Sequence, residues 1–411
     1  LLRHIAETDS DGTVIMIQIE NEIGMLEDAR DHSGLAQAEY DKGVPSSLMS
    51  YLKKHLSSLH PSLLNKWRDA GFRSSGSWTE VFGDDIYTDE LFQAYSYALY
   101  VERLASEARK IFPTMPLYVN AAMNSRGRQP GQYPSGGPLA HLKDMWHAGS
   151  PTIDILAPDL YDGDIASWLA AYALADNPLF VPEIKTTPAN ASQACYAIGE
   201  HHAIGFSPFA YNLRPEADRA YQREGNLCLS SLTPLLFRTA AKGSGKFTHA
   251  PSAGLYFTPD STTRTIIRDG LRIRASHYFT LPWDPRATDG SVWPETGGLI
   301  LQLAPMDYIV AGSGIVLTFD PADSAADSAP AARLGEDGFL LTGSDTATPD
   351  VQTKTSAQKR VGLASVEEVS VNPDGTLTRL RTLNGDETHQ GRHVRIGVDG
   401  FRILHVTLYS Y

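Results

Sequence analysis

The chain has little cysteine, no long hydrophobic run and no excess of basic residues. Its two cysteines, Cys195 and Cys228, are too few for a disulfide scaffold or a four-cysteine zinc site. We expect buried free thiols, with a single bridge between them as the alternative. No run of about 18 apolar residues is present, so the sequence contains no ordinary membrane-spanning helix. Lys and Arg number 35 against 48 Asp and Glu, and the resulting net charge of −13 argues against a nucleic-acid partner.

The first half of the chain alternates short apolar runs with segments of helical periodicity. With 411 residues and 42% hydrophobic composition, the chain is long enough for two or three globular domains. Continuous apolar runs predict buried strands, and they lie at 13–19, 117–120, 153–157, 179–181 and 203–210. Helical spacing of apolar residues predicts helices at 48–59, 90–111, 139–148, 165–175 and 189–201. Strands that alternate with helices in this way indicate βαβ units and a parallel sheet.

The second half has a different pattern. Short β-rich runs, such as 254–257, 299–303 and 315–319, are separated by Gly, Pro, Asn and Asp. Many short strands with frequent turn residues are typical of an antiparallel β-sandwich. A Gly- and Lys-containing stretch at 241–246 reads as a linker. We therefore predict an α/β domain over residues 1–245 and a β-sandwich domain over residues 246–411.

Two of the predicted strands end at carboxylates. The first strand is followed by Glu20, Asn21 and Glu22, and the fourth by Glu183. Side chains at the carboxyl ends of parallel strands gather at one edge of the sheet, and hydrolysis of a sugar acetal requires two carboxyl groups. These glutamates are therefore candidates for acid–base and nucleophilic chemistry. The alternative is that they are solvated rim residues that cap the sheet.

Aromatic residues supply a weaker signal. Trp78 lies in a long insertion after the first strand, and it is the best candidate for a ring on which a sugar stacks. Burial in a core is the usual role of tryptophan, and it remains the alternative at this position.

The segment Gln18-Ile-Glu-Asn-Glu-Ile-Gly24 resembles the Gln-x-Glu-Asn-Glu-x-Gly segment of glycoside hydrolase family 35, the β-galactosidase-like retaining enzymes. More specifically, the chain resembles the bacterial branch of that family with a C-terminal β-domain. Further stretches that resemble this branch, in chain order, are Trp78–Gly83, Tyr118–Ala121, Tyr133–Leu139, Ile153–Asp159, Gly205–Phe209, Asp289–Glu295 and Leu383–His393.

The resemblance implies a role for individual residues. Glu22 matches the family's general acid/base, and Glu183 matches its nucleophile. Asn21 matches the residue that binds the sugar 2-hydroxyl. Tyr161 lies where related enzymes hold a tyrosine against the nucleophile, and Asn120 is a candidate sugar contact.

The resemblance also implies a fold. The α/β domain would be part of a (β/α)₈ TIM barrel, with residues 1–245 supplying strands 4–8 and the first three strands expected to precede the chain. Five strands cannot close such a barrel alone. The partners expected on this ground are a second copy of the chain, in a homo-oligomer, or a second chain that completes the barrel. The β-sandwich would follow as the C-terminal domain.

The implied activity is that of a retaining exo-β-glycosidase. The first expectation is a β-galactosidase that removes terminal non-reducing β-galactosyl residues through a covalent glycosyl-enzyme. The alternatives are a related β-glycosidase that acts on glucosides, xylosides or arabinosides, and a carbohydrate-binding protein without turnover. The expected partner is a carbohydrate, namely a β-galactoside or a plant-type oligosaccharide, and we expect neither a membrane nor nucleic acid. No metal or other cofactor is implied. The sequence does not fix the compartment: a periplasmic or extracellular location is favoured, and a cytoplasmic one is the alternative.

Overall fold

A computed structural model describes residues 1–124, 127–161, 163–239, 247–323, 332–334, 340–342 and 359–411. The chain forms two compact units. The first comprises residues 1–190 and 201–219, and the second comprises residues 191–200 and 220–411. The domain boundary predicted at residues 245 and 246, and the linker predicted at 241–246, lie outside the described residues.

The described part of the first unit combines parallel strands with short and long helices. The strands are β1 (Ile17–Gln18), β2 (Leu117–Ala122), β3 (Ile155–Leu160), β4 (Phe180–Ile184) and β5 (Gly205–Pro208). The helices are α1 (Leu2–Thr8), α2 (Gly34–Tyr40), α3 (Ser46–Lys54), α4 (Pro61–Asp69), α5 (Trp78–Phe82), α6 (Ile86–Ile111), α7 (Lys143–Gly149) and α8 (Ile165–Tyr172). Helices α9 (Asn190–His201) and α10 (Glu216–Leu236) each include residues of both units.

The five strands form one parallel sheet in the order β1-β2-β3-β4-β5. This confirms the parallel α/β arrangement that the alternating pattern predicts. All six residues of β3 are buried, in keeping with a continuous apolar strand covered on both faces. Helix α6 begins where the Asp85 carboxylate accepts hydrogen bonds from the amides of Tyr87 and Thr88, and it ends just before Pro113. The described residues form five parallel strands, so the complete eight-stranded barrel stays a prediction.

Strand β1 is shorter than the predicted run of 13–19. It contains only Ile17 and Gln18, which pair with Leu117 and Tyr118. The carboxylate of Asp9 accepts hydrogen bonds from the backbone amides of Thr13 at 2.9 Å and Val14 at 2.7 Å. These amides are therefore engaged by a side chain instead of a sheet ladder, which explains why an apolar sequence there is not a strand.

The second unit consists mainly of antiparallel sheets. Its strands are β6 (Phe237–Thr239), β7 (Phe247–His249), β8 (Ser252–Phe257), β9 (Thr263–Arg268), β10 (Leu271–His277), β11 (Thr296–Ala304), β12 (Asp307–Ser313), β13 (Ile315–Pro321), β14 (Ala332–Leu334), β15 (Leu340–Thr342), β16 (Val361–Val371), β17 (Leu377–Thr382), β18 (Val394–Ile396) and β19 (Arg402–Ser410). One sheet has the order β18-β13-β10-β9, and a larger one has the order β17-β16-β19-β12-β11-β8. Strands β6 with β7, and β14 with β15, form separate pairs.

The two larger sheets share one hydrophobic core. Ile273 of β10 and Leu317 of β13 come from the four-stranded sheet, whereas Val310 of β12 and Val406 of β19 come from the six-stranded sheet. Along β10, buried residues alternate with partly exposed ones, which is the pattern of a sheet with one covered face. Packing of two sheets through one core agrees with the predicted antiparallel sandwich.

Three sequence expectations can be compared with the described residues. Cys195 and Cys228 are buried and free, which confirms the first of the two alternatives. No helix within the described ranges is both long and apolar enough to cross a membrane. In the same part of the chain, no group of three or more His, Cys, Asp or Glu side chains is arranged to hold a metal ion.

Candidate active site

The carboxyl ends of strands β1 to β4 meet at one edge of the parallel sheet. Asn120 lies in β2, next to the turn that follows β1. Asp159 lies in β3, and it is directly paired in register with Glu183 of β4. Because the strands run in the same direction, residues that are far apart in the sequence are brought together here.

The turn after β1 has an unusual backbone. Glu20 and Glu22 have φ values of 59° and 47°, in the left-handed region that non-glycine residues rarely adopt. The Gln18 side chain holds the turn, because its Nε2 donates to the Glu20 carbonyl at 2.8 Å and to Asn21 Oδ1 at 2.9 Å. The turn brings both Asn21 and Glu22 to Asn120. Such conformations persist only where surrounding contacts enforce them, and they are concentrated at functional sites.

The glycine that ends the motif has a packing role. A Cβ atom at Gly24 would lie 2.5 Å from Cβ of Pro134, so only glycine allows the chain to pass this close. The next residue, Met25, forms a backbone bridge with Ser135. Gly24 therefore anchors the turn to the loop that follows β2.

Of the two glutamates after β1, Glu20 is engaged elsewhere. Its side chain is exposed, and its Oε1 accepts a hydrogen bond from the Tyr100 hydroxyl at 2.8 Å. Glu22 is partly buried, and its backbone amide is bound by Asn120. The geometry thus favours Glu22 over Glu20 as the reactive carboxyl.

Asn120 organises the site. Its Oδ1 accepts a hydrogen bond from the Glu22 amide at 3.0 Å. Its Nδ2 donates to Asn21 Oδ1 at 3.1 Å and to Asp159 Oδ2 at 2.6 Å. The side chain is only 1% exposed, and its polar atoms are already occupied by protein groups. This corrects the expectation that Asn120 contacts sugar: it is a positioning residue that joins β1, β2 and β3.

Asp159 is a member of the site that the sequence reasoning missed. Its carboxyl group is 1% exposed, and its Oδ1 has no hydrogen-bond partner among the described residues. Burial raises the pKa of Asp159 to about 8, with further contributions from the negative charges of Glu183 and Glu22 and an opposing contribution from Asn120. Its sequence signal was the same one that identified Glu183, namely an acidic residue at the end of an apolar run.

Glu183 is paired in register with Asp159, and the Glu22 amide is bound by Asn120, whose Nδ2 also binds Asp159. Three carboxyl groups are therefore gathered at one sheet edge, and burial and the neighbouring charges disfavour ionisation of Asp159. Asp159, the most buried of them, holds a proton at neutral pH.

Tyr161 lies just beyond β3 and contacts Glu183. Its hydroxyl donates to Glu183 Oε2 at 2.5 Å, which is a short, charge-assisted hydrogen bond. Partial burial, followed by this hydrogen bond and the Glu183 charge, raises the pKa of Tyr161. The tyrosine therefore stays protonated and directs one oxygen of Glu183, while its ring packs edge-on against Phe209 at 6.0 Å.

Trp78 does not belong to this group. It is 1% exposed, and its ring is covered by Tyr40, Phe82 and Phe92 at centroid distances of 6.5, 5.9 and 5.5 Å. The expectation that Trp78 stacks on a sugar is corrected by this burial, because an enclosed ring offers no free face. Its role is to pack helix α5 against helix α6.

The raised pKa of Asp159 predicts a pH-dependent stability. Between the ordinary Asp pKa of about 4 and about 8, the folded chain keeps a proton that the unfolded chain releases, so the free energy of unfolding should fall as pH rises. Asp159→Asn keeps an acceptor for Asn120 but removes the titration. We expect urea unfolding between pH 5 and 8 to show a flatter pH dependence for this variant. Parallel curves for the two proteins would contradict the assignment.

Comparison with protein families gives one match, in the second half of the chain. Residues 228–329 and 323–395 match a domain of unknown function (DUF5597). The matched residues belong to the second unit. No curated protein matches the chain.

Comparison with solved structures gives distant matches to enzymes of two glycoside hydrolase families. One is a variant of BuGH86 in complex with neoagarooctaose, with 10% identity, a TM-score of 0.25, and coverage of 76% of this chain and 46% of that one. The chain thus spans under half the length of that protein. The other is AbfB, a family 51 α-L-arabinofuranosidase from Bifidobacterium longum, with 10% identity, a TM-score of 0.31, and coverage of 98% and 78%. At these scores neither match establishes a shared fold.

Proposed function

We propose that the chain carries the active site of a retaining exo-β-glycosidase, with Glu183 as the nucleophile and Glu22 as the general acid/base. The observation that carries the proposal is that the two glutamates converge on Asp159: Glu183 pairs with it in register, and Asn120 binds both the Asp159 carboxyl group and the Glu22 amide. Glycoside hydrolysis requires two carboxyl groups that flank the scissile bond, and the carboxyl ends of parallel strands are where such a pair can be supplied. Retention of configuration further requires that they lie about 5–5.5 Å apart, and this separation stays a prediction.

In the first step, Glu183 attacks the anomeric carbon of the bound sugar. Tyr161 supports this role, because its hydrogen bond to Oε2 holds the carboxylate in one orientation and leaves Oε1 for the attack. At the same time Glu22 donates its proton to the glycosidic oxygen, and the leaving group departs. A covalent glycosyl-enzyme and an ionised Glu22 result.

In the second step, Glu22 accepts a proton from a water molecule. The water attacks the anomeric carbon, the bond to Glu183 breaks, and the sugar leaves with its original configuration. Asp159 holds its own proton at neutral pH, so it adds no negative charge beside the nucleophile. Asn21, held by Gln18 and Asn120, is the proposed contact for the 2-hydroxyl group.

The substrate that we propose is a carbohydrate with a terminal non-reducing β-galactosyl residue. This choice rests on the resemblance of Gln18–Gly24 to family 35. A β-glucoside, β-xyloside or arabinoside is the alternative within the same chemistry. A carbohydrate-binding protein without turnover is the alternative outside it.

The test is a panel of nitrophenyl glycosides, with the anomeric form of the first product followed by proton NMR. Hydrolysis of the β-galactoside with retained configuration is expected. An inverted product would contradict the role of Glu183 as nucleophile. Binding of sugar without hydrolysis of any member of the panel would favour the non-catalytic alternative.

Removal of the Tyr161 hydroxyl should slow turnover without unfolding the chain. A hydrogen bond to a charged group is worth about 1.5–3 kcal/mol, which corresponds to a loss of roughly 10- to 150-fold in kcat if it is fully used in the transition state. We expect Tyr161→Phe to lower kcat by this order, with a smaller effect on KM. Tyr100→Phe is the matched control, because it removes the equivalent hydrogen bond to Glu20 and should leave kcat unchanged. Equal effects of the two substitutions would show that Tyr161 has no special role.

A further inference from the structure

The second unit contains a polar cavity of about 610 Å³ that has no place in the proposed glycosidase chemistry. Arg274 and Asp320 contribute from the four-stranded sheet, Tyr409 contributes from the six-stranded sheet, and Tyr411 and the loop of residues 390–393 complete the lining. Its volume is in the range that accommodates small ligands.

Two tyrosines form an open aromatic surface in this cavity. The rings of Tyr409 and Tyr411 are 5.4 Å apart and stacked at 27°, and the residues are 48% and 64% exposed. Gly362 lies on the neighbouring strand under Tyr409, where a Cβ atom would come within 2.8 Å of the ring. The glycine therefore allows the ring to lie flat against the strand. A fixed aromatic face with a polar edge is suited to the apolar face of a sugar ring.

The cavity also carries an excess of positive charge. Arg392 is exposed, and its guanidinium makes no side-chain hydrogen bond or ion pair with any described residue. Nε of Arg274 lies 3.9 Å from Oδ2 of Asp320, at the outer limit of an ion pair. Burial, together with the charges of His389, Arg395 and Arg392, lowers the pKa of His393 to about 4. His393 is thus neutral at neutral pH, and the two arginines face one carboxylate.

The loop that carries Arg392 has a constrained backbone. His389, Gln390 and Gly391 have successive φ values of 49°, 57° and 80°, all in the left-handed region. The His389 ring stacks on Trp283 at 4.5 Å, and the His393 ring stacks on the same indole at 5.8 Å. These contacts on both sides of the strained segment fix the position of the loop, as is common for binding loops.

From these features we propose that the cavity binds a carbohydrate that bears a carboxylate, that is, a uronic-acid residue. The sugar ring stacks on Tyr409 and Tyr411. Its carboxylate receives hydrogen bonds from Arg392 and Arg274, since a guanidinium matches the geometry of a carboxylate. Its hydroxyl groups bond to Asp320 and Gln390. Every group used here belongs to the second unit, so the proposal does not depend on Glu22 or Glu183.

The test is calorimetric titration of the whole chain with tri-galacturonate and tri-glucuronate, with the corresponding neutral trisaccharides and with sodium acetate. We expect at least one of the uronates to bind, and the neutral sugars and acetate to bind at least tenfold more weakly. Arg392→Gln and Tyr409→Ala should each weaken uronate binding by roughly tenfold or more, as expected for the loss of a charge-assisted contact or a stacking face. Tyr409→Phe should retain binding.

Two control variants test whether a loss of uronate binding is specific to this cavity. Arg103→Gln changes an exposed arginine of α6 and should leave uronate binding unchanged. Glu183→Gln should abolish turnover and also leave uronate binding unchanged, so failure of this proposal and failure of the glycosidase proposal are distinguishable. The assignment would be overturned if no uronate bound, or if neutral sugars or acetate bound as tightly as the uronates. It would also be overturned if Arg392→Gln bound the uronates as tightly as the native chain does.

Discussion

Glu183→Gln is expected to lower the rate of glycoside hydrolysis by about 10⁴-fold or more, because an amide cannot form the covalent bond to the anomeric carbon. The substitution is nearly isosteric. The Gln side-chain oxygen can still accept the hydrogen bond that Tyr161 donates to Glu183 Oε2 in the native chain. We therefore expect the variant to fold and to bind substrate with little change in affinity. The measurement is kcat on the best nitrophenyl substrate, together with the dissociation constant of the same sugar.

The interpretation of Glu183→Gln depends on a normal fold. Circular dichroism and the urea midpoint of the variant should match those of the native chain. Hydrolysis that continues at the native rate in a folded variant would rule out Glu183 as nucleophile. A loss of both sugar binding and fold would instead assign Glu183 a structural role within the β3–β4 pairing.

Glu22→Gln is the substitution with the next largest effect, and its effect should depend on the leaving group. General acid catalysis contributes about 10²–10⁴-fold, so substrates with poor leaving groups should lose that much. A dinitrophenyl glycoside needs little protonation and should still transfer its sugar to Glu183. Because the variant lacks the base for the second step, the product should appear as a burst followed by slow turnover.

The chain offers a matched control for Glu22 two residues away. Glu20 lies in the same turn, is exposed, and is bound by Tyr100. Glu20→Gln should leave the leaving-group dependence of the native chain unchanged. If the two variants lose activity equally, or if the loss in Glu22→Gln is the same for good and poor leaving groups, then Glu22 is not the acid/base.

Much of the parallel sheet could be predicted from the sequence, because buried strands leave a strong local signal. The runs near β2, β3 and β4 are apolar and short, and long-range pairing in the structure follows the order that the alternating pattern implies. The small helices α1, α2, α4 and α5 were missed. Short helices have weak periodicity, and contacts outside the segment decide whether they form.

Two of the three carboxyl groups at the sheet edge could be proposed from the sequence, whereas Asp159 was missed and the hydrogen bonds of Asn120 could not be predicted. Glu22 and Glu183 stand at strand ends, where the pattern can be read directly. The role of Asn120 depends on three partners from two other segments, and no local pattern encodes such a network. The position of Trp78 depends on the aromatic residues that cover it, which the sequence around Trp78 does not reveal.

The central claim is that Glu183 forms a covalent bond with the sugar while Glu22 serves the leaving group across the same site. The most direct measurement is mass spectrometry of the chain after incubation with the 2-deoxy-2-fluoro dinitrophenyl β-glycoside of its preferred sugar. The fluorine slows release of the intermediate, so the account predicts one added sugar on the peptide that contains Glu183, and none in Glu183→Gln. The account would be contradicted by a sugar attached to a different carboxylate. It would also be contradicted if no adduct were trapped while the unmodified substrate was turned over rapidly to a product of inverted configuration.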